Sequence, residues 1–91
     1  MDFVILNGKE IYTVEDLHAV LKAKLHFPDY YGENLDALWD CLSEWTSPLK
    51  IEWRNFRESE AKLGTYASDV KQLFNELEEE LHGLFEINII P

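Results

Sequence analysis

Between Pro28 and Trp45 the chain reads PDYYGENLDALWDCLSEW, with five carboxylates (Asp29, Glu33, Asp36, Asp40, Glu44), two tyrosines, two tryptophans and no basic side chain. Carboxylates without neighbouring cations suit three kinds of chemistry: proton transfer beside a nucleophile, ligation of a hard metal ion, or pairing with the cations of another molecule. The first needs partners that the sequence does not assemble. His18, His26 and His82 are scattered, and Cys41 falls on an apolar helix face, so nucleophile, base and orienter are not brought together. The second needs a ligand spacing that is absent, since there is no EF-hand loop and one helix face rarely completes a calcium shell. No cofactor and no metal are expected.

The third requires a rigid platform, and a helical wheel supplies one. With Asp36 as zero and 100° per residue, Leu35, Leu38, Cys41, Leu42 and Trp45 fall between roughly 140° and 260° and form a core face. Asp36, Asp40 and Ser43 lie within about 40° of zero, Glu44 near 80° and Trp39 near −60°, beside the acids and away from the core. Asp36 and Asp40, spaced i and i+4, repel each other by roughly 0.2–0.5 kcal/mol. Asp36 recovers some of that cost from the helix dipole at the N-terminus, whereas Asp40 lies a full turn farther in. Folding alone does not account for Asp40. Aromatic anchors beside acids match the make-up of tight protein interfaces, and a solvated helix face carrying one marginal tryptophan is the bland alternative.

These residues must be held by elements, and the elements are legible. DFVIL closed by NG reads as a strand and a turn. TVEDLHAVLKAKL reads as an amphipathic helix capped by Thr13 and Asp16, with Val14, Leu17, Leu21 and Leu25 on one stripe and a stop before Pro28. Asn34 can cap a second helix, with Gly32 suited to the turn before it. LKIEWRNF reads as a strand introduced by Ser47 and Pro48, whose peptide isomer is open. A short helical turn over 58–63 and a break at Gly64 precede a helix through Val70, Leu73, Phe74, Leu77 and Leu81, which Gly83 ends; FEINII is a last strand. Strands separated by helices predict an α/β fold with a small three-stranded parallel sheet packed by three to four helices. One domain spans 1–91.

Eighteen acids against eight bases give a net charge of −10, which repels phosphates and anionic membrane surfaces, so neither nucleic acid nor a membrane is an expected partner. A lone cysteine excludes an internal disulfide, and the first residues have neither the basic region nor the apolar run of a signal peptide. A cytoplasmic location is expected. The second acidic block, NELEEELH, reads as the solvated face of a helix.

The run PDYYGENLDALWDCL closely resembles the central segment of the barstar family, intracellular inhibitors of barnase-type secreted ribonucleases. ILNGKEIYTVEDLHAVLKAKL, PLKIEWRNF and INII are similar to the family's first strand and helix, second strand and last strand, so most of the chain is covered, most loosely over 57–68. The resemblance implies a stoichiometric inhibitor that is not an enzyme. It implies that the Asn34–Ser43 helix and its preceding loop plug a ribonuclease active site. Asp40 then occupies the substrate-phosphate position and meets arginines and the catalytic histidine, on which Tyr30 stacks. Asp36, Trp39 and Glu76 match further contacts to basic residues, with Asn34, Leu35, Ser43 and Trp45 around them. Glu76 also lies near 240° on a wheel started at Val70, off the apolar stripe. Two features depart from the family pattern. Glu44 stands where the prototype has glycine, and the loop TSP after Trp45 is one residue shorter and lacks an acid.

The expected partner is thus a barnase-like ribonuclease bound 1:1, by a chain that is monomeric when free. Two alternatives stand beside it: an immunity protein against another basic toxin nuclease, motivated by Glu44 and the shortened loop, and an acidic adaptor with no enzyme target that docks through ELEEEL.

Overall fold

The computed structural model describes residues 2–91. Strand β1 (Asp2–Asn7) leads through a single 3-10 turn (Gly8–Glu10) to α1 (Val14–Leu25), then α2 (Leu35–Ser43), β2 (Leu49–Arg54), α3 (Phe56–Leu63), α4 (Thr65–Glu80) and β3 (Phe85–Ile89). The three strands form one parallel sheet in the order β1-β2-β3, with Val4 opposite Ile51 and Ile51 opposite Ile87. The expected fold class is the observed one.

Period-two side-chain alternation decides which face of this sheet meets the helices. Val4, Leu6, Leu49, Ile51, Trp53 and Phe85 are buried on one face. Their neighbours Phe3, Lys50, Glu86 and Asn88 take the other, where Lys50 pairs with Glu86 at 3.9 Å. A parallel sheet is usually covered on both sides. Here the second face stays open because the central strand itself alternates, Lys50-Ile51-Glu52-Trp53-Arg54. At the centre of the core Trp53 is fully buried, donates its indole N–H to Ser59 Oγ at 3.0 Å, and meets the ring of Phe56 edge-on at 4.8 Å.

Four details differ from the sequence expectation. Asn7-Gly8 is no simple turn: Asn7 caps the 3-10 turn, and Gly8 is buried so close to Asn55 that a Cβ would lie 2.1 Å from its carbonyl oxygen. The second strand stops at Arg54, because Asn55 turns left-handed (φ 55°) and donates its side-chain amide to Asn7 Oδ1 at 2.9 Å. Phe56 then opens α3 two residues before the expected helical turn. The left-handed residue before α2 is Glu33 (φ 52°) and not Gly32. Gly32 is small for a different reason, since a Cβ there would press on Asn34 Nδ2 at 3.2 Å and on Ala37 Cβ at 3.3 Å.

Candidate functional site

The loop between α1 and α2 sorts two adjacent tyrosines into different tasks. His26 takes the left-handed conformation that closes α1, and Tyr31 N–H donates to Pro28 O at 3.0 Å, which folds residues 28–31 into a turn. Tyr31 points inward, where its hydroxyl sits 2.7 Å from His18 Nδ1 and its ring packs on Phe27 at 4.8 Å. Tyr30, at the tip, is 88% exposed. The second nitrogen of His18 lies 2.6 Å from the Tyr66 hydroxyl, so a fully buried imidazole ties α1, the loop and α4 together. Neutral imidazole donates through one nitrogen and accepts through the other, and the two phenols supply the complementary roles. Burial lowers the His18 pKa and raises those of both tyrosines, with Tyr31 pushed above the ordinary phenol value further by the nearby Cys41, Tyr66 and Glu33.

Helix α2 starts as expected: Asn34 Oδ1 accepts from Ala37 N at 2.8 Å, while its amide donates to Gly32 O at 3.2 Å. The cap consumes much of the polar capacity of Asn34. Leu38 and Leu42 are fully buried, and Leu35, Cys41 and Trp45, placed by the wheel on the same core face, are only half-buried at its borders. Asp36, Asp40 and Glu44 are exposed on the outer side, and no hydrogen bond or ion pair engages their carboxylates among the described residues. Ser43 donates its hydroxyl back to Asp40 O at 3.1 Å. Trp39 departs from the wheel's expectation, being half-buried rather than free, because α4 packs along that flank.

Two of the recesses around α2 bring these residues together. One is a cleft between α2 and α4 where Asp36 and Trp39 face Asp69, Gln72, Leu73 and Glu76. It brings Glu76 to α2 across 36 residues of chain from Asp40, and Gln72 holds the Glu76 carboxylate with a 3.2 Å hydrogen bond. Asp69 and Gln72 are not legible as site residues from sequence. Their spacing of 0, 3 and 7 with Glu76 marks a helical row, but only the packing of α4 on α2 makes that row part of the same surface. The other recess, of about 440 Å³, lies between the 26–30 loop and the end of α2 and is lined by Tyr30, Asp40, Cys41, Glu44 and Trp45. Burial raises the Cys41 thiol pKa, with further contributions from the Glu44 and Asp40 carboxylates, which makes it a poor nucleophile. The indole N–H of Trp45 is buried and finds no acceptor among the described residues.

Fold and surface together define a class: a small acidic α/β protein that presents carboxylates unpaired among the described residues, a half-buried Trp39 and the exposed ring of Tyr30 on one helix and the turn before it. Residues 1–88 match the family described as Barstar (barnase inhibitor). The chain is also 49% identical over 87 residues to a Bacillus subtilis (strain 168) protein named "Putative ribonuclease inhibitor YrdF", covering 94% of this chain and 96% of that one. The chain belongs to the barstar family, whose members are inhibitors and not enzymes. Family membership supports a ribonuclease-inhibitor role. No helix among the described residues is long and apolar enough to cross a membrane.

Proposed function

We propose that this chain is a stoichiometric, cytoplasmic inhibitor of a secreted barnase-like ribonuclease, and that α2 with the Tyr30 turn blocks the enzyme's basic active site. The observation that carries this reading is Asp40: exposed, unpaired among the described residues, and set beside Tyr30 on a helix anchored by two fully buried leucines. An RNA-cleaving site must hold phosphate and stabilise charge developing at phosphorus, so its donors also accept a carboxylate fixed where a phosphate would lie. Asp36, Trp39 and Glu76 form a second contact region in the α2–α4 cleft, with Asn34, Leu35, Ser43, Glu44 and Trp45 at the borders.

Titration of a barnase-type ribonuclease tests the proposal directly. RNA cleavage should stop at one equivalent of wild type, and Asp40→Ala should inhibit far more weakly while keeping the wild-type circular dichroism spectrum. Equal inhibition by wild type and Asp40→Ala would show that the site is elsewhere. Glu44 and the short Thr46-Ser47 loop support a second reading, an immunity protein against a different basic nuclease. Capture of a toxin that cleaves DNA, with no inhibition of any ribonuclease, would favour it.

A further inference from the structure

The recess beside Asp40 carries a feature that inhibition through Asp40 alone does not require. Glu44 caps the C-terminus of α2, its backbone at φ −89° and ψ 0°, and the last turn of that helix contains no basic residue. The negative end of the helix dipole therefore carries an acidic residue, with Asp40 one turn earlier and neither carboxylate paired among the described residues. Helix C-termini favour cations, so this placement opposes folding. Tyr30 and Trp45 offer aromatic surface, and the two carboxylates stand beside them. Aromatic rings with carboxylates alongside suit a planar guanidinium, which stacks on rings and donates N–H bonds to two carboxylate oxygens at once, better than a compact, strongly hydrated ammonium.

We infer that Glu44 is a specificity-determining residue, and that the recess receives one arginine side chain of the ribonuclease in addition to the basic groups that meet Asp40. The inference rests on the proposed inhibitory role and sharpens it: the matched enzyme carries an arginine at the edge of its active site opposite the end of α2. Ribonucleases lacking that arginine leave Glu44 unpaired and bind less well, so the choice of enzyme is made at the rim while blockade is made at the centre.

The test uses the intact protein and a barnase-type ribonuclease that it inhibits. Dissociation constants are measured for wild type, Glu44→Gln, Glu44→Lys and Asp40→Ala at about 50 and 500 mM salt. A double-mutant cycle follows, pairing Glu44→Gln with alanine at each arginine around the enzyme's active site. Glu44→Gln is expected to weaken binding about tenfold at low salt, Glu44→Lys more, and both differences to shrink at high salt. One enzyme arginine should couple to Glu44 more strongly than the others, and the absence of coupling to any of them would overturn this inference. Wild-type affinity in both Glu44 variants, with inhibition lost in Asp40→Ala, would overturn this inference and leave the proposed function intact. Failure of the wild type to inhibit any barnase-type ribonuclease would overturn both.

Discussion

At the scale of single residues the proposed function places stability and recognition on different atoms. Leu38 and Leu42 secure α2, while Asp36, Asp40 and Glu44 contribute nothing to the core and repel one another. Asp40→Ala is accordingly expected to leave the thermal midpoint unchanged or slightly raised. It should weaken ribonuclease inhibition by about a hundredfold or more, the range for truncating one member of a buried charge pair, a generalisation that itself draws on the barnase–barstar complex. Thermal melts and an inhibition titration on the same preparation check both halves. Trp39 behaves differently. Its partial burial against α4 means that Trp39→Ala should lower stability as well as binding, and a melt of that variant indistinguishable from wild type would contradict the packing.

At the scale of elements, the 3-10 turn and α3 meet without room to spare. Gly8→Ala would drive a methyl into the Asn55 backbone, so it should cost about 1–3 kcal/mol in urea denaturation or more. The Tyr31–His18–Tyr66 bridge is the other inter-element joint. Because burial lowers the folded-state pKa of His18 below its ordinary 6.5, the unfolded chain takes up the proton first as pH falls. The stability contributed by neutral His18 is thus complete above about pH 6.5 and declines below it as pH approaches the depressed folded value. Denaturation of wild type and His18→Phe between pH 7.5 and 5.5 isolates this, with approximate pH limits set by the ordinary histidine range. The wild type should lose stability across the interval more steeply than the variant. Since Tyr31 adjoins Tyr30, the same joint also sets where the exposed ring stands.

For the whole molecule, a charge of −10 on 91 residues has two opposite consequences. Under the proposed function it draws in a basic enzyme from a distance, and it strains the fold by self-repulsion. Raising salt from about 50 to 500 mM should therefore slow association with the ribonuclease while raising the melting temperature of the free inhibitor. Stopped-flow association and melts across one salt series measure both, and an association rate independent of salt would remove electrostatic steering from the mechanism. The sheet adds a third property. Edge strand β3 has the Ile87 N–H occupied by the Glu78 carboxylate at 2.9 Å, which denies that donor to an incoming strand.

Local physics determined a good deal from the sequence by itself. The Thr13–Asp16 capping box, the Asn34 cap, the buried stripe Leu17-Leu21-Leu25 and the break at Gly64 depend on neighbours within a few residues, and all appear as read. The order of strands and helices and the outward position of Asp36 and Asp40 follow from the same short-range periodicities. What depends on distant partners was decided only in three dimensions. Wheels cannot know that α4 lies against Trp39, that His18 finds hydroxyls 13 and 48 residues away, or that Asn55 ends a strand by reaching Asn7. They also cannot convert Asp69, Gln72 and Glu76 into a wall facing Asp36. Sequence spacing sets the face on which a side chain stands; packing between elements sets what that face meets, because those contacts join residues that no local period connects.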